Sequence, residues 1–169
     1  MDKLVVYHIY VCHKICYSDI MNWSYIAGFF DGEGSLTHHG KGFRITIPQT
    51  NEEVLKSIKK FVGCGNIIYI KKRKIHWSDG WSYYITKQTE VYGFIKKIEP
   101  FIIVKKGLIK NALPELKKIL SNQRTKKKTY IYRKKEAKKL RGKGLTYRQI
   151  GKKLEVDWGY IRRLILDLN

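Results

Sequence analysis

The chain has 169 residues, enough for one full hydrophobic core and a small appendix. Its 35 Lys and Arg stand against 14 Asp and Glu, a formal net charge of +21, far beyond the roughly 2–8 units that keep a small domain soluble. Such an excess points to a polyanion, nucleic acid first, and no stretch approaches the roughly 20 apolar residues of a membrane span.

Residues 1–21 read as an N-terminal arm. The apolar run Leu4–Val11 is broken by His8, has only Lys3 ahead of it and lacks a small-residue cleavage site, so it does not read as a signal peptide. His8, Cys12, His13 and Cys16 lie close together, but their spacing is not that of a zinc finger and no further Cys pair follows. Cys12, Cys16 and Cys64 make no disulfide framework, which fits a reducing, intracellular compartment.

A helix begins near Asn22 or Ser24 and ends at an Asp31-Gly32 break. Alternation follows, with Phe43, Ile45 and Ile47 on one face of a strand and Arg44 and Thr46 on the other. Asn51 caps a helix that gathers Val54, Leu55, Ile58, Phe61 and Val62, and Gly63-Cys64-Gly65 closes it. Two strand-like runs come next, Asn66–Lys74 and Trp81–Lys87, and then a helix that places Val91, Phe94, Ile95 and Ile98 together and stops before Pro100. The last helix of this part carries Leu108, Ile109, Ala112, Leu113, Leu116 and Leu120, with a kink expected at Pro114. The order is αββαββαα, an α+β domain over residues 22–121.

Residues 122–128, polar and basic without an apolar side chain, read as a linker. Beyond it the charge thickens: residues 123–169 hold 16 Lys and Arg and 4 Asp and Glu, leaving 19 and 10 in residues 1–122. Three short helices are expected over 129–169. The first contains Ala137 and Leu140, the second starts at the cap Thr146 with Ile150, Gly151 and Leu154, and the third starts at the cap Asp157 with Ile161 and Leu164. This series resembles a helix-turn-helix DNA-binding module. Trp158, Tyr160, Arg162 and Arg163 fall on or near its reading helix, and Tyr147, Arg148, Lys152 and Lys153 are placed to meet a phosphate backbone.

The run Tyr25-Ile26-Ala27-Gly28-Phe29-Phe30-Asp31-Gly32-Glu33-Gly34 is the most specific feature of the chain. It is an apolar helix with small residues on one face that leads into two acids spaced by glycine. In so basic a chain, such an acid suggests a metal held against a polyanion. Ala27 and Gly28 present almost no side chain, so another backbone can pack against them, and Gly32 is free to turn and expose its carbonyl.

This run resembles the signature helix of the LAGLIDADG homing endonucleases, and the resemblance extends over about residues 22–120. It implies the homing-endonuclease fold with a DNA-binding antiparallel sheet. One copy of the motif implies a homodimer, with Ala27, Gly28 and Asp31 at the interface. Two-fold symmetry then brings two Glu33 carboxylates together, an arrangement that calls for bridging cations. Mg2+ (or Mn2+), held by Glu33 and the Gly32 carbonyl, is the implied cofactor. The resemblance further assigns Gln49, at the end of a strand, to hold water near the metal, and Lys105, after Pro100-Phe101, to stabilise the charged phosphorus centre or tune that water. Two positions depart from the pattern: Glu33 replaces the usual aspartate, and Glu53 falls where the family has an arginine, with Lys56 one turn on.

The sheet is the expected reading surface. Arg44 suits a guanine edge and Thr46 shares its face, Lys71, Lys72, Arg73 and Lys74 suit phosphates, and Trp81 and Tyr83 lie beyond them. The function implied is site-specific, metal-dependent double-strand cleavage of a long pseudopalindromic DNA site, promoting mobility of the encoding intron or other element. The alternative on the same scaffold is a non-cleaving regulator, or a maturase that binds a group I intron RNA.

Overall fold

A computed structural model of the chain describes residues 21–40, 42–72, 76 and 78–166. The His/Cys group of the arm, and Arg73, Lys74 and Trp77, lie outside the described residues. The chain divides into two compact units, 1–116 and 117–169.

In the first unit α1 spans Trp23–Glu33. Asn22 caps it, its Oδ1 accepting from the Tyr25 N–H at 2.8 Å, and Ile26, Ala27 and Phe30 are buried. The helix runs two residues past the expected Asp31-Gly32 break, so Gly32 is helical and Glu33 is the last residue. What ends it is Gly34, whose N–H donates to the Phe30 carbonyl at 2.9 Å. A Cβ on Gly34 would lie 2.7 Å from that carbonyl oxygen and overlap the Phe30 ring, so only glycine fits.

Strands β1 (Ser35–His39), β2 (Gly42–Gln49), β3 (Asn66–Ile70) and β4 (Gly80–Ile85) form an antiparallel sheet in the order β1-β2-β4-β3. Between β2 and β3 runs α2 (Glu52–Val62), capped by Asn51 and closed by left-handed Gly63. After β4 come α3 (Gln88–Ile98) and a 3-10 turn at Glu99–Phe101. Phe43, Ile45, Ile47, Tyr83 and Ile85 on one sheet face are buried together with Leu55 and Ile58 of α2 and Phe94, Ile95 and Ile98 of α3. The aromatic contacts Trp23–Phe61 (5.2 Å) and Phe30–Phe94 (5.9 Å) tie α1 to α2 and α3. The opposite sheet face carries Arg44 and Thr46. The α+β fold expected from the sequence is the fold observed.

The final helix of the first unit does not stop before the basic run. Helix α4 extends from Lys106 to Gly142, passes through Pro114 and includes all of residues 122–128. Lysine and arginine are good helix formers, so a stretch without apolar periodicity continues the helix where a break was expected.

The second unit comprises the later part of α4, then α5 (Tyr147–Lys153) and α6 (Trp158–Leu166). Ala137, Leu140, Ile150, Ile161 and Leu164 form its core. Thr146 and Gln149 make a reciprocal capping box on α5, and Asp157 Oδ1 accepts from the Tyr160 N–H at 3.1 Å. A Cβ on Gly151 would lie 2.8 Å from the Val156 carbonyl oxygen and 3.3 Å from the Trp158 backbone, so α5 meets the start of α6 at a distance only glycine permits.

Candidate functional site

Glu33 is the exposed last residue of α1. It lines a cleft of about 440 Å³ together with Pro48, Gln49 and Thr50 at the end of β2, Ile70, Lys71 and Lys72 at the end of β3, and Gly80 and Trp81 at the start of β4. The cross-strand pair Gln49–Trp81 fixes this end of the sheet. Gln49 Oε1 accepts from the Thr50 N–H at 2.8 Å and from the Thr50 hydroxyl at 3.2 Å. Its NH2 group is therefore what Gln49 has to offer a ligand.

Lys105 does not line this cleft. It docks on the carbonyl end of α1, its Nζ donating to the carbonyls of Phe30 (2.8 Å) and Asp31 (2.6 Å) and lying 3.5 Å from that of Gly32. A cation there is favoured by the partial negative charge of a helix C-terminus. The ammonium thus lies beside the carbonyl that the resemblance gives to the metal, at the helix end that carries Glu33.

Asp31 is what brings Lys105 there. Its carboxylate accepts from the backbone N–H groups of Ile103 (2.7 Å), Val104 (3.2 Å) and Lys105 (3.0 Å). Desolvation pushes its pKa up, but the three N–H donors and the Lys105 charge outweigh that and hold the carboxyl below its ordinary value. Asp31 is therefore a brace within its own chain. Ala27, expected at an interface, is instead 0% exposed, enclosed by the core of its own unit. The small-residue face of α1 is carried by Ser24, Gly28 and Gly32, all exposed, and a Cβ on Gly28 or Gly32 would meet nothing within 4 Å. Ile103 and Val104, tied to this helix through Asp31, are 82% and 78% exposed.

On the open sheet face Arg44 and Thr46 share a side as expected. The Arg44 guanidinium lies 6.0 Å from the Tyr84 ring, and its Nε is buried without a partner among the described residues. Tyr83 does not join them. It pairs with Ile47 in the register, is 0% exposed and donates its hydroxyl to the Cys64 carbonyl at 2.9 Å. Tyr84, one residue on, is the tyrosine that faces out beside Arg44. The signal was present in Ile85: two positions from Tyr83, it shares the core face. Trp81 falls on the same parity as Tyr83 but lies at the sheet end, against Tyr69 (5.5 Å) and in the Glu33 cleft. Lys71 and Lys72 are exposed, and Asp79 accepts from the Lys72 N–H at 2.7 Å, bracing the β3–β4 connection.

Glu53 lies in the first turn of α2. Lys56 pairs with it at 2.9 Å and with Glu52 at 3.1 Å, and with Glu52, Lys59 and Lys60 it lines a surface pocket. In the second unit Arg148, Trp158, Arg162 and Arg163 are exposed, whereas Tyr147 and Tyr160 are half-buried against the small core. The Tyr147 ring also carries the Arg141 guanidinium at 4.5 Å.

The donors beside the cleft, a carboxylate and a backbone carbonyl, are hard oxygens of the kind magnesium or manganese takes. Among the described residues no three His, Cys, Asp or Glu side chains converge.

Residues 22–99 match the family profile of the LAGLIDADG-like domain. Among solved structures, the meganuclease I-AabMI bound to uncleaved DNA is similar over 61% of this chain and 39% of its own, at 23% identity and a TM-score of 0.50. The homing endonuclease I-CvuI in complex with its target is similar over 60% of this chain and 69% of its own (20% identity, TM-score 0.48). The archaeal intron-encoded homing endonuclease I-Vdi141I, complexed with DNA, is similar over 86% and 94% (20% identity, TM-score 0.46). No curated protein matches the chain by sequence. At these identities the likeness to I-AabMI is one of fold. Residues 22–99 thus resemble a LAGLIDADG-like domain in profile, and the sheet and the helix that ends in Glu33 both fall within that stretch.

Proposed function

We propose that the chain is a site-specific, divalent-metal-dependent double-strand DNA endonuclease that acts as a homodimer on a long pseudopalindromic site. On this reading it promotes the mobility of the intron or other element that encodes it. The observation that carries the reading is the junction at the end of α1: Glu33 shares a cleft with Gln49, and Lys105 is seated on the carbonyls of the same helix. The open face of Ser24, Gly28 and Gly32 supports a second copy packed backbone to backbone, and a second copy would supply the second Glu33 that one chain lacks. Helices α5 and α6, with Arg148, Trp158, Arg162 and Arg163 exposed, serve as a helix-turn-helix that extends the footprint.

When bound, magnesium or manganese supplies Lewis-acid stabilisation of phosphate charge and a nucleophilic water. The chain's own part is positional. Glu33 holds its carboxylate at the cleft, Gln49 donates from its NH2 to orient a water, and Lys105 places positive charge where negative charge develops at phosphorus. Arg44, Thr46 and Tyr84 face bases, and Lys71 and Lys72 face phosphates.

The test is cleavage of a randomised duplex library by wild type and Glu33→Gln, with magnesium and with chelator. Magnesium-dependent double-strand cuts at one site are expected from wild type, lowered by more than about 100-fold in the variant. Glu53, which pairs with Lys56 where the resemblance implies an arginine, favours the second reading, a non-cleaving regulator or intron-RNA maturase. Tight binding at one site without cuts, equal in both proteins, would establish the regulator; selective binding of intron RNA would establish the maturase.

A further inference from the structure

The part of α4 in the second unit bears a groove that the preceding reading does not use. It lies against α6, encloses about 290 Å³, and is lined by Thr125, Lys126, Thr129, Tyr130, Arg133 and Tyr160. Two cations, two threonine hydroxyls and two phenols line it, and no carboxylate does. Thr125, Thr129 and Arg133 form one row along the helix at intervals of four, with Lys126 and Tyr130 in the adjoining row. From 125 to 133 the groove runs for about 12 Å at 1.5 Å per residue.

Among the described residues, none covers the helix just before it. From Ser121 to Lys128 every residue is exposed, and this stretch holds Arg124, Lys126, Lys127 and Lys128 without an acid. Arg124 meets Lys127 three positions on and Lys128 four positions on, so like charges repel along the helix. A helix polar on all sides, with no core to lean on and a single sign of charge, is stabilised by an external polyanion. The groove's chemistry agrees: Lys126 and Arg133 suit anionic oxygens, and the tyrosine hydroxyls add neutral donors.

We propose that this groove is a phosphate-backbone site for duplex DNA, with Lys126 and Arg133 each neutralising one phosphate. The proposal rests on the DNA-binding reading above and gives the second unit a backbone contact on α4, separate from α5. A site made of point charges and hydroxyls along a helix grips without reading base edges.

The test measures the affinity of the full-length protein for a random-sequence duplex, with chelator present, across a series of salt concentrations. The double variant Lys126→Gln/Arg133→Gln is compared with Lys135→Gln/Lys139→Gln, which removes the same charge about half a turn round the same helix. A salt slope shallower by about 1.8 per protomer, hence about 3.6 for a bound dimer, and binding weaker by about tenfold or more, in the groove variant alone, is the expected result. An unchanged slope overturns the proposal, and so does an equal fall in both variants, since charge is then diffuse. If wild type binds no duplex at any salt, the DNA-binding reading itself fails, and that outcome is told apart before any variant is compared.

Discussion

The two compact units hold their charge in different ways. Residues 1–116 carry 17 Lys and Arg and 10 Asp and Glu, and residues 117–169 carry 18 and 4. In the first unit the acids have local tasks. Asp31 braces the segment before α4, Glu52 and Glu53 hold Lys56, Glu90 holds Lys87, Glu99 holds Lys96 and Glu115 meets His38, while Glu33 is left at the cleft. In the second unit positive charge greatly outnumbers its acids, and Asp157 is used as a helix cap. On the proposed reading the difference separates chemistry from grip: the first unit spends most of its acids on local partners and keeps Glu33 at the cleft, whereas the second keeps an excess of positive charge for a phosphate backbone.

Three measurements would break or sharpen that contrast. The largest effect is expected at Tyr83, which belongs to the core that positions the cleft. Tyr83→Ala should lower stability by about 3–5 kcal/mol in urea denaturation, whereas Tyr84→Ala should cost far less and weaken DNA binding; the reverse ranking would return Tyr83 to the DNA-facing side. Next is Gly151→Ala in the second unit, where the added methyl meets the Val156 carbonyl. A net loss of about 1–2 kcal/mol is expected, read by hydrogen exchange as faster opening of α5 and α6. No change there would mean that the junction is looser than the geometry states.

The smallest effect is expected at Asp31, and pH sharpens it. Its folded-state pKa is depressed, so its contribution is present above the ordinary carboxylate value near 3.8 and is lost as pH falls through the lower folded value. Asp31→Asn should cost about 1 kcal/mol at neutral pH, with wild type and variant converging below about pH 4. Parallel curves down to the lowest pH would show that the carboxylate is not what holds residues 103–105.

Much of this is legible in the sequence. The caps Asn51, Thr146 and Asp157 announce helix starts because their side chains serve orphan N–H groups locally, and the alternation Phe43-Ile45-Ile47 announces a half-buried strand because it needs no partner to be seen. Glu33 and Gln49 were named on family resemblance, and the fold brings them to one cleft. What was not legible depends on long-range register. Tyr83 and Tyr84 differ by one residue, and only the pairing of Tyr83 with Ile47 decides which faces the core. Ala27 looks like a contact residue from its size alone, but its burial depends on helices far along the chain. The course of α4 through residues 122–128 was missed because a helix exposed all round has no apolar period to reveal it.

The brace at Asp31 has a consequence for when the protein becomes competent. The bond from the Ile103 N–H spans 72 positions, and the bond from Lys105 Nζ to the Phe30 carbonyl spans 75. Closing a loop of that length is entropically costly, and contacts of such separation make folding slow. A nascent or half-folded chain can hold α1 with its glutamate while the lysine is still elsewhere. On the proposed reading, a DNA-cutting centre split across so distant a pair of segments is inert until the domain has closed, which protects the cell that makes it.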